Sequence, residues 1–219
     1  MPTPTTFLDS PLLTPERIAA DPEAAFAVRP SWVRGLVLVH PDADPERPSE
    51  ATPQGVSPAA VVSLGESHLA HKTYSLTGLA LLFELSRLPG VSVVTNSDGK
   101  GRHYERVTIA DAAEDLTSVN RLLIGATTYD QAKVVGIKSD MRPENLRATP
   151  ARKLGKDARA VLLGHAERIV RAWEAKGTMP HLLTADGYLA NLERLLALTD
   201  LEASGLDPLA ALPVVSEEA

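Results

Sequence analysis

Apolar and polar positions along this chain change their period several times, and each change marks a different element. The stretch "SWVRGLVLVH", residues 31–40, has an apolar centre bounded by Arg34 and His40, which predicts a short buried strand. "AAVVSLGE", 59–66, predicts a second. Ser75 or Thr77 then opens a helix, "SLTGLALLFELSRL", stopped by Pro89-Gly90. Its apolar residues (Leu76, Leu79, Ala80, Leu82, Phe83) nearly encircle it, so the helix should be central and buried.

Two further runs, 91–95 and 103–109, flank Asn96-Ser97-Asp98-Gly99-Lys100-Gly101. Asp-Gly between apolar runs predicts a β-hairpin, because glycine reaches positive φ without a steric penalty. "ADAAEDLTSVNRLLIG", 110–125, reads as a helix ended by Gly125, with Asp111, Glu114 and Asp115 complementing the dipole of its first turn. "YDQAKVVGIK" reads as a strand, and residues 139–158 as a long basic loop without periodicity. From Lys156 to Lys176 a stripe of Ala158, Leu162, Ala166, Ile169 and Trp173 predicts an amphipathic helix stopped by Gly177. Thr184 opens a last helix to about Ala203, with Tyr188, Leu192, Leu195 and Leu196 inward. No internal repeat is visible.

The ends differ in character. Eleven of the 17 prolines fall in the first 60 residues, so "MPTPTTFLDSPLLTP" cannot sustain a long helix. A short one from Thr14 or Pro15 to about Ala20 fits. Residues 41–58 are proline-rich and acidic, an exposed loop. The pattern therefore predicts an α+β chain. A small sheet with a hairpin at about 91–109 packs on a buried helix, and a helical C-terminal half follows. The organisation is an arm at 1–30, a core at 31–138, basic loop and helices at 139–204, and an acidic tail at 205–219. Ends of this composition are ordered only when something holds them, and a neighbouring subunit is the simplest holder.

Composition sharpens this picture in three ways. Hydrophobic residues make up 44% of the chain but aromatics only 4%, so the core is mainly Leu, Val and Ala. Absence of cysteine excludes disulfides, thiolate metal sites and cysteine nucleophiles. No basic segment precedes an apolar run at the start, and no unbroken apolar run exceeds the five residues of Leu79–Phe83, far short of the ~20 residues of a membrane helix. A cytoplasmic protein, or a component of a soluble particle, is expected.

The net charge of −6 is unevenly spread: residues 131–176 carry 11 basic and 5 acidic groups, residues 177–219 carry 1 and 7. Arg142, Arg147, Arg152, Lys153, Lys156 and Arg159 fall within 18 residues. Such a block suits an acidic protein surface, a polyanion, or the acidic end of another subunit. Lys100, Arg102 and Arg106 on the hairpin could add phosphate contacts, though helix 75–88 is too apolar to read bases beside them. Aromatic residues for base stacking are nearly absent from the basic block.

Catalytic signals are sparse. "SDGKGR" lacks phosphate-loop spacing and joins two strands, and neither a dinucleotide fingerprint nor G-x-S-x-G nor H-E-x-x-H occurs. Glu66, His68 and His71 form one cluster that could ligate a metal, with polar loop residues as the plainer reading. No cofactor is predicted. The leading expectation is a non-catalytic structural or interaction subunit of a larger assembly, phage- or particle-like, whose basic centre contacts an acidic partner or a neighbouring copy. The rivals are a nucleic-acid-associated protein using loop 139–159 and the hairpin tip, and a metal-dependent enzyme using the Glu/His cluster.

Overall fold

The computed structural model describes residues 6–39, 59–63, 71–97, 103–109, 118–135, 139–153, 155–180, 183–210 and 212. Helix α3 (Leu76–Leu85) is its centre, and every residue of it is buried. Ser75 caps it, accepting a hydrogen bond from the Gly78 amide at 3.1 Å. Full burial of each of its leucines, and of Phe83, is worth roughly 1.5–3 kcal/mol. Its polar side chains are buried as well: Thr77, Glu84 and the following Arg87 are at most 2% exposed.

Three layers wrap this helix. The first is the N-terminal segment, with α1 (Pro15–Ala20) and α2 (Pro22–Ala25), each started by a proline behind a Thr14 or Asp21 cap. It brings Phe7, Phe26 and Trp32 edge-on to the Phe83 ring, at centroid distances of 5.9, 5.4 and 5.7 Å. Arg87 grips the same segment through its backbone. Its guanidinium donates to the Phe7, Leu8, Ser10 and Pro11 carbonyls at 2.9–3.2 Å, while Nε meets Glu84 at 2.9 Å. The expected need for a neighbouring subunit to hold this arm is removed from residue 6 onward, because the chain holds it itself.

The second layer is β structure. β1 (Gly35–Val39), β2 (Ala59–Ser63) and β3 (His71–Ser75) form an antiparallel meander, with Val37 opposite Val61 and Val61 opposite Thr73. The hairpin forms as its alternation predicts, from β4 (Val91–Ser97) and β5 (His103–Ile109), with Val91 opposite Ile109 and Ser97 opposite His103. Its turn, including Lys100 and Arg102, lies outside the described residues. α4 (Val119–Leu123) is the described part of the helix expected over 110–125; Asp111, Glu114 and Asp115 fall outside it.

The third layer is the antiparallel pair α5 (Ala158–Lys176) and α6 (Ala185–Ala203). Asp157 caps α5 by accepting from the Arg159 and Ala160 amides, and Gly177 ends it at φ 64°. Tyr188, Leu192, Leu195 and Leu196 of α6 face the core as the pattern predicts, and the Tyr188 hydroxyl donates to the Glu84 carbonyl at 2.5 Å.

One expectation is overturned. Residues 139–158 are irregular only in part: a 3₁₀ turn (Pro143–Asn145) leads into β7 (Leu146–Thr149), which pairs with β6 (Gln131–Val134) as a second antiparallel ribbon. The strand at 131–134 is legible in the sequence, but four-residue β7 is too short to show a period in a sequence rich in arginine and proline, so its pairing with β6 decides it. No helix among the described residues is long and apolar enough to cross a membrane.

Candidate functional site

The β6–β7 ribbon and the segment leading from it to α5 carry the basic block, and Asp130 builds the junction between them. Its two carboxylate oxygens accept from the Thr127 amide at 2.9 Å and the Ala151 amide at 3.0 Å. Those backbone hydrogen bonds hold its acidity below the usual aspartate range. The Thr128 amide donates to the Lys156 carbonyl at 2.8 Å, and Gly155 lies so close that a Cβ there would meet Thr127 Oγ1 at 2.7 Å and the Tyr129 amide at 2.9 Å. Segments 127–130 and 151–156 are thereby locked side by side.

One face of the ribbon is the more exposed and carries its charge. Gln131 and Lys133 on β6 are exposed, Ala132 and Val134 are half-buried, and Val135 beyond the strand is 56% exposed. Across the ladder Lys133 stands opposite Arg147, and Gln131 opposite Thr149. Like charges directly opposite one another are unfavourable in an antiparallel pair. Arg147 relieves this partly by donating to the Glu144 and Leu146 carbonyls at 2.8 and 2.7 Å. Arg152 is exposed at the junction. Lys153 lies over the Tyr129 ring, 4.6 Å from its centroid, and that tyrosine is 48% exposed.

The sequence-predicted cations therefore divide. Arg147, Arg152, Lys153 and Lys156 lie on this surface. Arg142 does not. It is wholly buried, clamped on Asp140 through two bonds of 2.9 and 2.7 Å and 3.3 Å from Glu144. Thr73 draws it inward, since the Thr73 amide donates to the Ser139 carbonyl and the Met141 amide to that of Thr73. Arg159 is also diverted: it donates to the Leu122 and Leu123 carbonyls at the end of α4 and to Thr199 and Asp200 on α6. These two arginines hold elements together instead of facing a partner. Arg106 is half-buried on β5, away from this ribbon in sequence and sheet.

Of the Glu/His cluster, Glu66 and His68 lie outside the described residues, while His71 is exposed at the start of β3. Among the described residues no group of three His, Asp or Glu side chains could hold a metal.

Three buried polar centres escape the linear reading. Glu84 and Arg87 form the first; burial pushes the Glu84 carboxyl up and Arg87 pulls it back. Charged residues on an otherwise apolar helix were its visible signal. In the second, Lys72 reaches Glu105 at 3.6 Å, both nearly inaccessible, and burial raises Glu105 against the pull of the lysine. The third joins Glu202 of α6 to Ser75, which donates at 2.6 Å, and to Thr77. Burial pushes the Glu202 carboxyl up to about 7, with those hydroxyls opposing. The inward stripe of α6 continues through Thr199 to Glu202, a spacing that marks it in retrospect. All three centres are sealed by packing, so their chemistry is cohesion rather than contact with a substrate.

Comparison with known proteins adds no relative. No family model matches the chain, no curated protein matches its sequence and no solved structure matches its fold.

Proposed function

We propose that this protein is a non-catalytic interaction subunit of a larger assembly, and that it grips an acidic partner through the β6–β7 ribbon. The observation that carries this reading is the exposed Lys133–Arg147 pair, continued by Arg152 and Lys153 on a junction locked by Asp130. A cross-strand pair of cations costs stability, and a negative group that bridges it offsets that cost. The acids closest in sequence are already engaged: Asp130 with backbone amides, Glu144 with Arg142, and Asp157 capping α5. Among the described residues no carboxylate forms an ion pair with Lys133, Arg147, Arg152 or Lys153. The buried carboxylates and Arg87 serve cohesion, which favours an interaction role over a catalytic one.

The test combines light scattering with retention on a polyanionic heparin column, each as a function of salt. The wild-type chain is expected to associate or to be retained at low salt and to release as salt rises, since exposed charge pairs are screened. The Lys133→Gln plus Arg147→Gln variant should lose that behaviour with its melting temperature unchanged or raised. A strict monomer at low salt that also passes unretained through the polyanion column would end the proposal.

A further inference from the structure

We infer that the acidic partner of the ribbon is single-stranded nucleic acid, and that Tyr129 is the residue on which one of its bases stacks. This rests on the interaction reading above and names the occupant of the same face. An acidic protein surface requires only cations from its binder, and the linear sequence offers only cations in this block. The fold adds an aromatic ring. Tyr129 precedes β6, yet the Asp130–Ala151 and Thr128–Lys156 bonds place it beside Lys153, with the ring 48% exposed. Lys153 covers one face of the ring, which leaves the other for a base, and each stacked base typically changes affinity by about fivefold to a hundredfold or more.

The cations fit the other half of the ligand. Lys133 and Arg147 face one another across the ladder, where one phosphate can bridge both. Arg147 stands on β7 and Arg152 in the bend beyond its end, so the cations are spread along the chain instead of sharing one point. A duplex would keep its bases stacked on each other and leave Tyr129 without a partner, so the ring favours an unpaired strand. The chain's net charge of −6 does not prevent this, since at 0.1 M salt charges beyond about 10 Å are largely screened.

The experiment is fluorescence anisotropy with a labelled 20-nucleotide oligothymidylate, the matching duplex, and labelled poly-glutamate. All three are titrated with the full chain at 50 and 200 mM salt. The single strand is expected to bind at least tenfold tighter than duplex or poly-glutamate. Tyr129→Ala should weaken it about tenfold and Tyr129→Phe about twofold at most, because stacking needs the ring and not the hydroxyl. Lys133→Ala plus Arg147→Ala should reduce the slope of log K against log salt by about 0.7, the value for the one phosphate they bridge on a single strand. Tyr129 is at the surface, so melting curves of both tyrosine variants are expected to overlay the wild type. Equal affinity for duplex and single strand overturns the inference, as does an inert Tyr129→Ala. Binding of poly-glutamate alone overturns it too but leaves the ribbon as an acidic-protein contact. Loss of all three probes together with salt-dependent assembly removes both readings.

Discussion

Glu202→Gln is the substitution on which the physics of this fold is most exposed. The side chain is 3% exposed, with Ser75 and Thr77 donating to its two oxygens and Glu144 and Asp207 adding repulsion against its charge. In the unfolded chain it ionises near 4.5; in the folded protein it keeps its proton to about 7. Its contribution is therefore complete below pH 4.5 and is lost as pH rises through 7, because unfolding releases a proton across that window. At about 1.4 kcal/mol per unit, the loss approaches ~3 kcal/mol above pH 7.5.

Glutamine is neutral at every pH and fits the same cradle. Its oxygen accepts from Ser75, and its amide donates to Thr77. Urea titrations followed by tryptophan fluorescence at pH 5, 6, 7 and 8 separate the alternatives. Glu202→Gln should match the wild type at pH 5 and exceed it by about 2–3 kcal/mol at pH 8. For a chain of this size that is a rise in melting temperature of roughly 4–12 °C. Glu84, Glu105 and Glu144 titrate in the same direction, so the comparison is the difference between the two proteins at each pH, not the wild-type curve alone. A wild-type minus variant difference that stays flat from pH 5 to 8 would refute the assignment of a buried, protonated carboxyl.

Other substitutions test other joints. Arg87→Met leaves Glu84 buried without its cation and frees the carbonyls of Phe7, Leu8, Ser10 and Pro11, for an expected loss of about 3–5 kcal/mol. Limited proteolysis should then cut first at Arg17, and cleavage no faster than in the wild type would count against the clamp. Lys72→Met should cost about 3 kcal/mol at pH 8, and adding Glu105→Gln should restore most of it; a double mutant no better than the single would show the pair is not coupled. Gly155→Ala forces the backbone away from Thr127 and the Tyr129 amide, for about 1–3 kcal/mol of destabilisation by thermal melting. An unchanged melting curve would mean that the two segments are not locked.

Local chemistry carried most of the element plan. The caps at Thr14, Ser75 and Thr184, the Gly177 stop and the hairpin alternation act between residues a few positions apart, so a linear chain displays them. The buried character of α3 and the inward face of α6 follow equally from period and apolarity. Tertiary contact alone assigned the arginines. Arg142 and Arg152 look alike in sequence, yet one is sealed against Asp140 and the other faces solvent, because the Thr73 backbone draws only the segment of Arg142 into the core. The same holds for Glu202, whose partner Ser75 is 127 residues away, and for Tyr129, which gains Lys153 through a junction 24 residues long. A charge inside a protein needs a partner to offset its lost hydration, and that partner is found by folding rather than by adjacency.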